Sequence, residues 1–383
     1  MHDRARLRVL LAVDDLRIGG AQDQVVGLAV ALAERGHRVV LACTEGGGRS
    51  AERLARAGVP VVVLGRRHVA KRLSVSFAVR IARMARAGGF DVVHAHVHAA
   101  SMAAALGGPL VGVPVVVTEH SMASWRGRIA CAYSRLLYRR CALVLAVSPQ
   151  IRNRLCTSDR VLRGRVRVVG TALFGSARAA APGPERTPEC TSGRPGGPVV
   201  GVVARLRPEK GVEFFVRAAS LVADAHPDVT FSVVGDGDQR HRLEGLAAGL
   251  GLGGRMRFHG ERADGARAVA AADVLCVPSL TEGAPLVVLE AMAAGVPVIA
   301  SAVGAVPDQL DGGRAGILVP PGDVSALAEA LDGLLADGCE RARLGRSGHR
   351  RLRELGSADE VTREVEAAYR AVVGAAAGGS PGR

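Results

Sequence analysis

Aromatic residues are scarce in this 383-residue chain: they make up 3% of it, with one Trp and three Tyr. Proteins that bind single-stranded nucleic acid by stacking its bases need aromatic side chains on their surface, so this scarcity argues against that function. Hydrophobic residues nevertheless make up 48% of the chain, and most of them are aliphatic. Such a composition suits parallel β-sheets that are buried on both faces. We therefore expect an α/β protein without a nucleic-acid partner.

Cysteine pairs and long apolar runs are also missing. The seven Cys are odd in number and form no CxxC pair, which argues against a zinc site or a disulfide framework and indicates a reducing compartment. The apolar run near the start is too short for a signal peptide and ends in two aspartates. No stretch approaches the roughly 18 uninterrupted apolar residues of a membrane span. These features predict a cytoplasmic protein.

Lysine is nearly absent as well, since only Lys71 and Lys210 occur and arginine carries most of the positive charge. Residues 1–180 contain 28 Lys and Arg against 10 Asp and Glu, whereas residues 181–383 contain 22 against 26. A basic half joined to a nearly neutral half indicates that the first half meets an anionic partner. General enrichment in arginine explains the same numbers, and the sequence leaves both interpretations open.

Short Val-rich runs, seven in the first half and six in the second, alternate with Ala-rich segments of helical length. This is the rhythm of a parallel sheet, and a segment rich in Pro, Gly, Ser and Thr interrupts it once. We therefore predict two doubly wound Rossmann-like domains that face each other across a cleft, with ligands at the carboxyl ends of the strands. The predicted segments are a first domain, a linker, a second domain and a C-terminal helix with its tail, at 1–175, 176–198, 199–356 and 357–383.

Two glutamates, Glu282 and Glu290, stand with seven residues between them in an otherwise apolar stretch. A helix that starts at Pro285 would place Glu282 in the preceding loop and Glu290 on the second turn. Gly283 would let the backbone approach a ligand, and the helix N-terminus would attract a phosphate. Carboxylates beside a phosphate-binding position would accept hydrogen bonds from hydroxyls, and a sugar nucleotide has both groups. One helix-capping glutamate and one exposed glutamate would explain the same spacing.

A second stretch, ARLRPEKG at 204–211, follows the first predicted strand of the second half. Arg205 and Lys210 flank a turn made by Pro208, just before a predicted helix. Two cations at a strand-to-helix turn can neutralise a diphosphate. Two solvated surface cations are the alternative.

Taken with their neighbours, these stretches resemble glycosyltransferase family 4, whose members are retaining enzymes of the GT-B fold. The resemblance covers nearly the whole chain and implies an acceptor-side first domain and a donor-binding second domain. In the second half it rests on the stretches at 204–211, 233–244, 257–261 and 281–323, and in the first half on those at 18–43, 91–100, 113–121 and 145–155.

In the second half the resemblance implies a role for seven residues in binding the donor. Arg205 and Lys210 would hold the diphosphate, Glu282 would contact hydroxyls of the sugar, and Glu290 would bind the ribose. Phe258 would hold the base through its main chain. The backbone of two further residues would meet sugar and phosphate, namely that of Gly283 and Ala284.

In the first half the resemblance places His120 near the anomeric side of the donor sugar, and Gly19 and Gly20 in a loop over the phosphates. Two departures from the family pattern concern the acceptor side or the crossover between domains. Many relatives have an Asn-Gly pair after the last strand of the first half, where this chain reads VVGTALFG at 168–175. The glycine loop commonly continues with Glu, where this chain has Gln22.

The sequence thus predicts a retaining glycosyltransferase that moves a sugar from a UDP- or GDP-linked donor to a hydroxyl of a glycan, a lipid-linked or a small-molecule acceptor, without cofactor or metal. A non-catalytic polyanion-binding protein and a nicotinamide-dependent oxidoreductase remain alternatives. The oxidoreductase would need a G-x-G-x-x-G loop directly after the first strand of a half, and neither half supplies one at that position. On a strand the alternating His94, His96 and His98 would share one face, but nothing nearby completes a metal site, and we interpret them as a strand end and a loop at the cleft.

Two basic clusters in the first half predict contact with an anionic membrane, because each basic residue near such a surface contributes about 1 kcal/mol. Within the second cluster, apolar residues recur at helical spacing and could face lipid or, as we favour, the core. These are Ile129, Tyr133, Leu136 and Leu137. The first cluster comprises Arg66, Arg67, Lys71 and Arg72, and the second Arg126, Arg128, Arg135, Arg139 and Arg140.

Overall fold

A computed structural model describes residues 6–65, 75–122, 127–174, 197–262 and 264–378. The chain divides into two compact units: unit 1 combines Met1–Phe174 with Ser357–Arg383, and unit 2 is Gly175–Gly356. The C-terminal segment therefore belongs with the first half of the chain. Of the linker predicted at 176–198 only the last two residues lie within the described part, and the basic cluster at 66–72 lies outside it.

Unit 1 is built on a seven-stranded parallel sheet in the order β3-β2-β1-β4-β5-β6-β7. All five residues of both β4 and β5 are buried, because helices cover both faces of the sheet. Its strands are β1 (Arg8–Ala12), β2 (Arg38–Cys43), β3 (Val61–Val63), β4 (Val92–His96), β5 (Val115–Glu119), β6 (Leu143–Ala146) and β7 (Val166–Val168). Its helices are α1 (Gly20–Glu34), α2 (Gly48–Arg56), α3 (Val75–Ala87), α4 (His98–Gly107), α5 (Arg128–Tyr138), α6 (Pro149–Thr157) and, at the C-terminus, α14 (Ala358–Gly378).

Unit 2 has a six-stranded parallel sheet in the order β10-β9-β8-β11-β12-β13. Its strands are β8 (Val199–Val203), β9 (Thr230–Val234), β10 (Met256–Phe258), β11 (Val274–Val277), β12 (Val298–Ser301) and β13 (Ile317–Val319). Its helices are α7 (Val212–Val222), α8 (Arg240–Gly249), α9 (Gly265–Ala271), α10 (Leu286–Ala294), α11 (Val306–Gln309), α12 (Val324–Ala336) and α13 (Gly338–Glu354). The thirteen strands predicted from the sequence are all confirmed.

In both sheets the strand order reverses beside the first strand, between β1 and β4 in unit 1 and between β8 and β11 in unit 2. The loops that leave two such strands diverge to opposite faces of the sheet and open a crevice at the carboxyl ends. Each unit therefore has one edge where a ligand site is expected. The predicted site residues fall in the loops and helix starts at these edges.

The last helix, α14, packs on α1 of unit 1, and its buried Glu366 carries the charged contacts. The Glu366 carboxylate accepts hydrogen bonds from Arg35 at 2.8 Å and from Arg370 at 2.9 Å, and its other contact is with Nε2 of His37 at 2.9 Å. Burial raises the pKa of Glu366, but these hydrogen bonds outweigh burial and lower the pKa to about 2. Because the carboxylate stays charged and paired, α14 is held against the sheet, and its Tyr369 is fully buried.

Candidate active site

In unit 2, the loops after β8 and β11 are joined by an ion pair. Nζ of Lys210 donates to Oε1 of Glu282 at 2.6 Å, and the hydroxyl of Ser279 donates to the same oxygen at 2.7 Å. Only 9% of the Glu282 side chain and 21% of the Lys210 side chain are exposed. A short, charge-assisted hydrogen bond in a sheltered position fixes both side chains at the point where the strand order reverses.

The backbone of the two loops approaches so closely that only glycine fits at one point. Gly211 has a φ of 61°, and a Cβ atom there would lie 2.1 Å from the carbonyl oxygen of Pro278. Beside it, the N–H of Leu280 donates to the carbonyl of Glu209 at 2.9 Å. A larger residue at Gly211 would push the loops apart. The glycine that follows the RPEK turn therefore positions Lys210 against Glu282.

Arg205 lies at the tip of the loop after β8 and is exposed. The loop after β9 contacts the loop that carries Arg205: the N–H of Leu206 donates to the carbonyl of Asp236 at 2.9 Å. Gly237 has a φ of 159°, and a Cβ there would lie 2.3 Å from the carbonyl oxygen of Leu206. Among the described residues no carboxylate pairs with the guanidinium of Arg205. This cation is therefore available to an anionic ligand.

The helix expected to begin at Pro285 begins one residue later, at Leu286, and Pro285 is the residue before it. No side chain of the described residues caps its N-terminus, so its first N–H groups keep their positive potential. Gly283 is buried, and its carbonyl accepts from the N–H of Ala305 at 2.8 Å. Ala284 is half-buried between Gly283 and the helix. The backbone at the N-terminus of α10 can therefore bind an anion.

Glu290 and Phe258 complete the predicted donor site in unit 2. Glu290 lies on the second turn of α10, as predicted, and is half-buried. Phe258 is the last residue of β10, the edge strand next to β9. The carbonyl of Phe258 accepts from the guanidinium of Arg240 in a long contact of 3.5 Å. Because β10 has a neighbour on one side only, the main chain of Phe258 is accessible from the other side.

In unit 1, Gly19 and Gly20 form the start of α1, with Gly19 as the residue before the helix. Gln22, which stands where relatives commonly have Glu, donates from Nε2 to Oδ1 of Asp15 at 3.2 Å. A glutamate could not make this bond as an anion. The amide therefore ties the glycine loop to Asp15 in the loop after β1.

His120 follows β5, and its ring lies beside that of His96, the last residue of β4. Nδ1 of His96 and Nε2 of His120 are 3.0 Å apart. His94 is fully buried behind them, with Nδ1 at 2.6 Å from the hydroxyl of Tyr369 on α14 and Nε2 at 2.7 Å from that of Thr118. Burial lowers the pKa of all three histidines, to about 3 for His94 and about 4 for His120, so they are neutral at pH 7.

The strand end predicted at the alternating His94, His96 and His98 is confirmed. β4 ends at His96 because Val97 has a φ of 64° and a ψ of 166°, and His98 is the first residue of α4. The ring of His98 lies instead with its Nε2 at 3.0 Å from the hydroxyl of Tyr133. The described residues contain no group of three or more His, Cys, Asp or Glu placed to hold a metal ion.

Sequence reasoning missed three supporting residues. Ser279 fixes Glu282, and its place just before the two-glutamate stretch was the available signal. His96 was interpreted as part of a strand end or, less favoured, as a metal ligand, and the role of Tyr369 depends on a contact with His94 that is 275 positions away in sequence. His96 and Tyr369 carry no local pattern that indicates their partners.

Two family models match this chain: one described as Glycosyltransferase Family 4 matches residues 18–173, and one described as Glycosyl transferases group 1 matches residues 197–337. The chain is also 32% identical to a 2-deoxystreptamine N-acetyl-D-glucosaminyltransferase of Streptomyces fradiae, over 95% of this chain and 94% of that one. The chain belongs to glycosyltransferase family 4.

Other family 4 relatives support the same assignment. A phosphatidyl-myo-inositol mannosyltransferase of Mycobacterium leprae is 31% identical over 88% of each chain. Among solved structures, that of Anabaena HepE in complex with UDP and glucose matches with a TM-score of 0.82 at 20% identity, over 95% of this chain and 99% of that one. The fold is thus GT-B, and this family 4 member is a glycosyltransferase that uses a nucleotide-sugar donor. The oxidoreductase and polyanion-binding alternatives are not favoured.

Proposed function

We propose that the chain transfers a sugar from a UDP- or GDP-linked donor to a hydroxyl of a cyclitol, with retention at the anomeric carbon and without a metal. The observation that carries this proposal is the arrangement around Glu282 in unit 2. Two cations and an uncapped helix N-terminus lie at the carboxyl edge of the sheet, where a leaving diphosphate would gain stabilisation. A carboxylate fixed among them would accept hydrogen bonds from sugar hydroxyls.

Retention without a covalent intermediate needs no enzymatic nucleophile, because the leaving phosphate oxygen takes the proton of the acceptor on the same face of the sugar. The carboxylates at the carboxyl edge of unit 1 support this route. Both oxygens of Asp14 accept from main-chain N–H groups of Ala99 and Ala100, at 3.3 and 2.6 Å. The carboxylate of Glu119 is held by Tyr138 at 2.7 Å and by Arg154 at 3.3 Å. Carboxylates that serve as structural hydrogen-bond acceptors are poorly placed to attack a sugar.

The acceptor class is suggested by the names of the relatives. Two of them are named for 2-deoxystreptamine, with 32% identity in each case, and two for inositol phosphate or phosphatidyl-myo-inositol, with 37% and 31%. All three compounds contain a six-membered carbocycle that carries hydroxyl groups. We therefore propose a cyclitol, free or lipid-linked, as the acceptor.

The decisive measurement is release of the nucleotide diphosphate with a panel of UDP- and GDP-sugars, each with an aminocyclitol, an inositol phosphate and a phosphatidylinositol. We expect release to depend on one donor and one acceptor together, and NMR of the product to show the anomeric configuration of the donor. UDP or GDP, but not NAD or heparin, should also stabilise the protein against thermal unfolding. Inversion at the anomeric carbon, or release that is independent of every cyclitol, would contradict the proposal.

A lipid-linked acceptor is favoured by the surface around α5, which differs from our expectation. We favoured core packing for its apolar stripe, yet Ile129 is 83% exposed and Leu136 is 63% exposed, while Leu137 is buried. Residues 129 and 136 are seven positions apart, so they lie on the same, outward face of the helix, whereas Leu137 lies on the buried face. No helix of the described residues is long and apolar enough to cross a membrane.

The exposed charge around α5 is positive. Residues 92–174 contain 11 Arg and two acidic residues, Glu119 and Asp159, and both acids are buried and paired with Arg154. At the amino ends of β5, β6 and β7, a cavity of about 550 Å³ is lined by Arg140, Arg165 and Arg167 together with apolar residues. Exposed arginines without exposed acids, next to the exposed Ile129 and Leu136, suit an anionic bilayer.

We expect the protein to sediment with vesicles that contain anionic phospholipid at low salt, and binding to weaken as salt shortens the screening length to about 8 Å near physiological strength. Leu136→Ser should weaken the binding. Leu221→Ser on α7 is the matched control, because Leu221 is also 63% exposed but lies in unit 2. If fully anionic vesicles at low salt bind nothing, general arginine enrichment explains the charge and the acceptor is a soluble cyclitol.

A further inference from the structure

Three histidines, a threonine and a tyrosine form one connected array at the carboxyl ends of β4 and β5. His94 is held by the hydroxyls of Tyr369 and Thr118, and its ring packs on that of His96 with 4.0 Å between ring centroids. His96 in turn reaches His120 through Nδ1. His94, His96 and Tyr369 are at most 2% exposed. The array therefore links the last helix of the chain to His120.

The protons of this array can be assigned from its contacts. Each neutral imidazole carries one N–H and one lone pair. Nε2 of His96 is buried and has no hydrogen-bond partner among the described residues. A buried N–H without a partner is rarer and more costly than a buried lone pair without one, so the proton of His96 belongs on Nδ1. Nδ1 of His96 then donates to Nε2 of His120, whose own proton must lie on Nδ1.

We infer that His96 is a positioning residue that holds His120 as an imidazole protonated on Nδ1, so that His120 serves as a hydrogen-bond donor and not as a general base. The inference rests on the proposed function, since the family resemblance places His120 at the donor sugar. With Nε2 occupied by His96, the lone pair of His120 cannot take a proton from the acceptor. Its free N–H can instead donate to an oxygen of the substrate.

The backbone after His96 supports a fixed geometry. The φ and ψ of Val97 lie in a region that is almost restricted to glycine, so the backbone there is strained. The strain persists because both neighbours are held, His96 by His120 and His98 by Tyr133, and because the carbonyl of Val97 accepts from the N–H of Ser101 at 3.1 Å. The strain ends β4 at His96 and so fixes where its ring points.

Nitrogen-15 NMR of histidine-labelled protein tests the assignment directly, because the shifts of Nδ1 and Nε2 report which nitrogen carries the proton. His120→Asn identifies the signals of His120 by their loss. We expect wild-type His120 to be protonated on Nδ1 and to remain neutral down to about pH 5, since its pKa is about 4. The other titratable groups around it are His94, His96, Glu119 before it in β5, and Tyr369 from α14.

Two substitutions of His96 separate positioning from mere packing. His96→Leu removes the donor, so His120 should populate both tautomers, its pKa should rise, and kcat should fall about tenfold while the KM of the acceptor changes little. His96→Asn keeps an N–H close to the position of Nδ1 and should restore a single tautomer and most of kcat. In the leucine variant alone, kcat should also acquire a new acidic limb between pH 5 and 7, about where a histidine pKa nearer its ordinary value would lie.

A wild-type His120 protonated on Nε2 would overturn the inference, as would an unchanged His120 tautomer in the leucine variant. Equal losses of kcat in the leucine and asparagine variants would also overturn it, because packing alone would then explain the effect. The NMR readout needs no substrate. If no donor supports sugar transfer but the expected tautomers are observed, the proposed function fails and the proton assignment stands.

Discussion

Lys210→Ala is expected to lower kcat/KM for the nucleotide-sugar by about ten- to a thousandfold. In the free protein, Nζ of Lys210 is bound to Glu282, so the cation is already placed and desolvated before a diphosphate arrives. Charge that develops on the leaving diphosphate meets a fixed ammonium group, and little reorganisation is needed. Arg205→Ala should have an effect of the same order, because its exposed guanidinium has no carboxylate partner among the described residues.

The measurement is steady-state kinetics of nucleotide release, with folding monitored by thermal unfolding. Arg217→Ala is the matched control, since Arg217 is exposed on α7, the helix that follows Lys210. Lys210→Arg should recover only part of the activity, because a planar guanidinium cannot occupy the place of a compact ammonium group beside Glu282. Wild-type kinetics in Lys210→Ala and in Arg205→Ala would show that the diphosphate binds elsewhere.

The same two cations lead us to expect that activity survives EDTA. In sites that use Mg²⁺ or Mn²⁺, the metal neutralises the diphosphate, and here Arg205, Lys210 and the N-terminus of α10 would do so. Loss of activity in EDTA that Mg²⁺ or Mn²⁺ restores would contradict this assignment of roles.

Local sequence predicted the elements of the fold well because each has a local cause. The Val-rich runs became the strands, and turn residues marked the helix starts, so that α7, expected near Lys210, begins at Val212. The assignment of the C-terminal helix to unit 1 could not be predicted in this way. It depends on Glu366, which pairs with Arg35 at a separation of 331 residues, and pairing at that range leaves no periodic signal.

In the candidate site, too, the sequence predicted local features but not long-range contacts. The residue types around Lys210 and Glu282 indicated a diphosphate and a sugar, yet their direct contact spans 72 residues and appears only in the folded chain. The strand end at the alternating histidines was predicted correctly, whereas the positive φ of Val97, which separates His98 from the strand, has no local sequence signal. Sequence therefore predicted which chemical groups are present, whereas the folded chain decides which of them touch.

Glu282→Ala and Glu290→Ala should separate the two halves of the donor. Glu290 is expected to bind the ribose, so its loss should weaken binding of UDP or GDP by about ten- to a hundredfold, the equivalent of about 1.5–3 kcal/mol for a hydrogen bond to a charged group. Glu282 is expected to bind the transferred sugar, which the free nucleotide lacks. Its loss should leave nucleotide affinity unchanged or raise it, because Lys210 would no longer share its charge with a carboxylate.

For kcat we expect the larger effect from Glu282→Ala and the smaller one from Glu290→Ala. Glu282→Ala should lower kcat about tenfold or more, since a contact to the reacting sugar is lost and Lys210 loses the partner that positions it. Glu282→Gln retains an oxygen that can accept from Lys210 and Ser279 and should lose less. Calorimetric titration with UDP and GDP, combined with kinetics on the cognate donor, measures both effects. Glu329→Ala, an exposed glutamate on α12, is the control. Weaker nucleotide binding in Glu282→Ala with full nucleotide affinity in Glu290→Ala would mean that the two carboxylates have been assigned to the wrong parts of the donor.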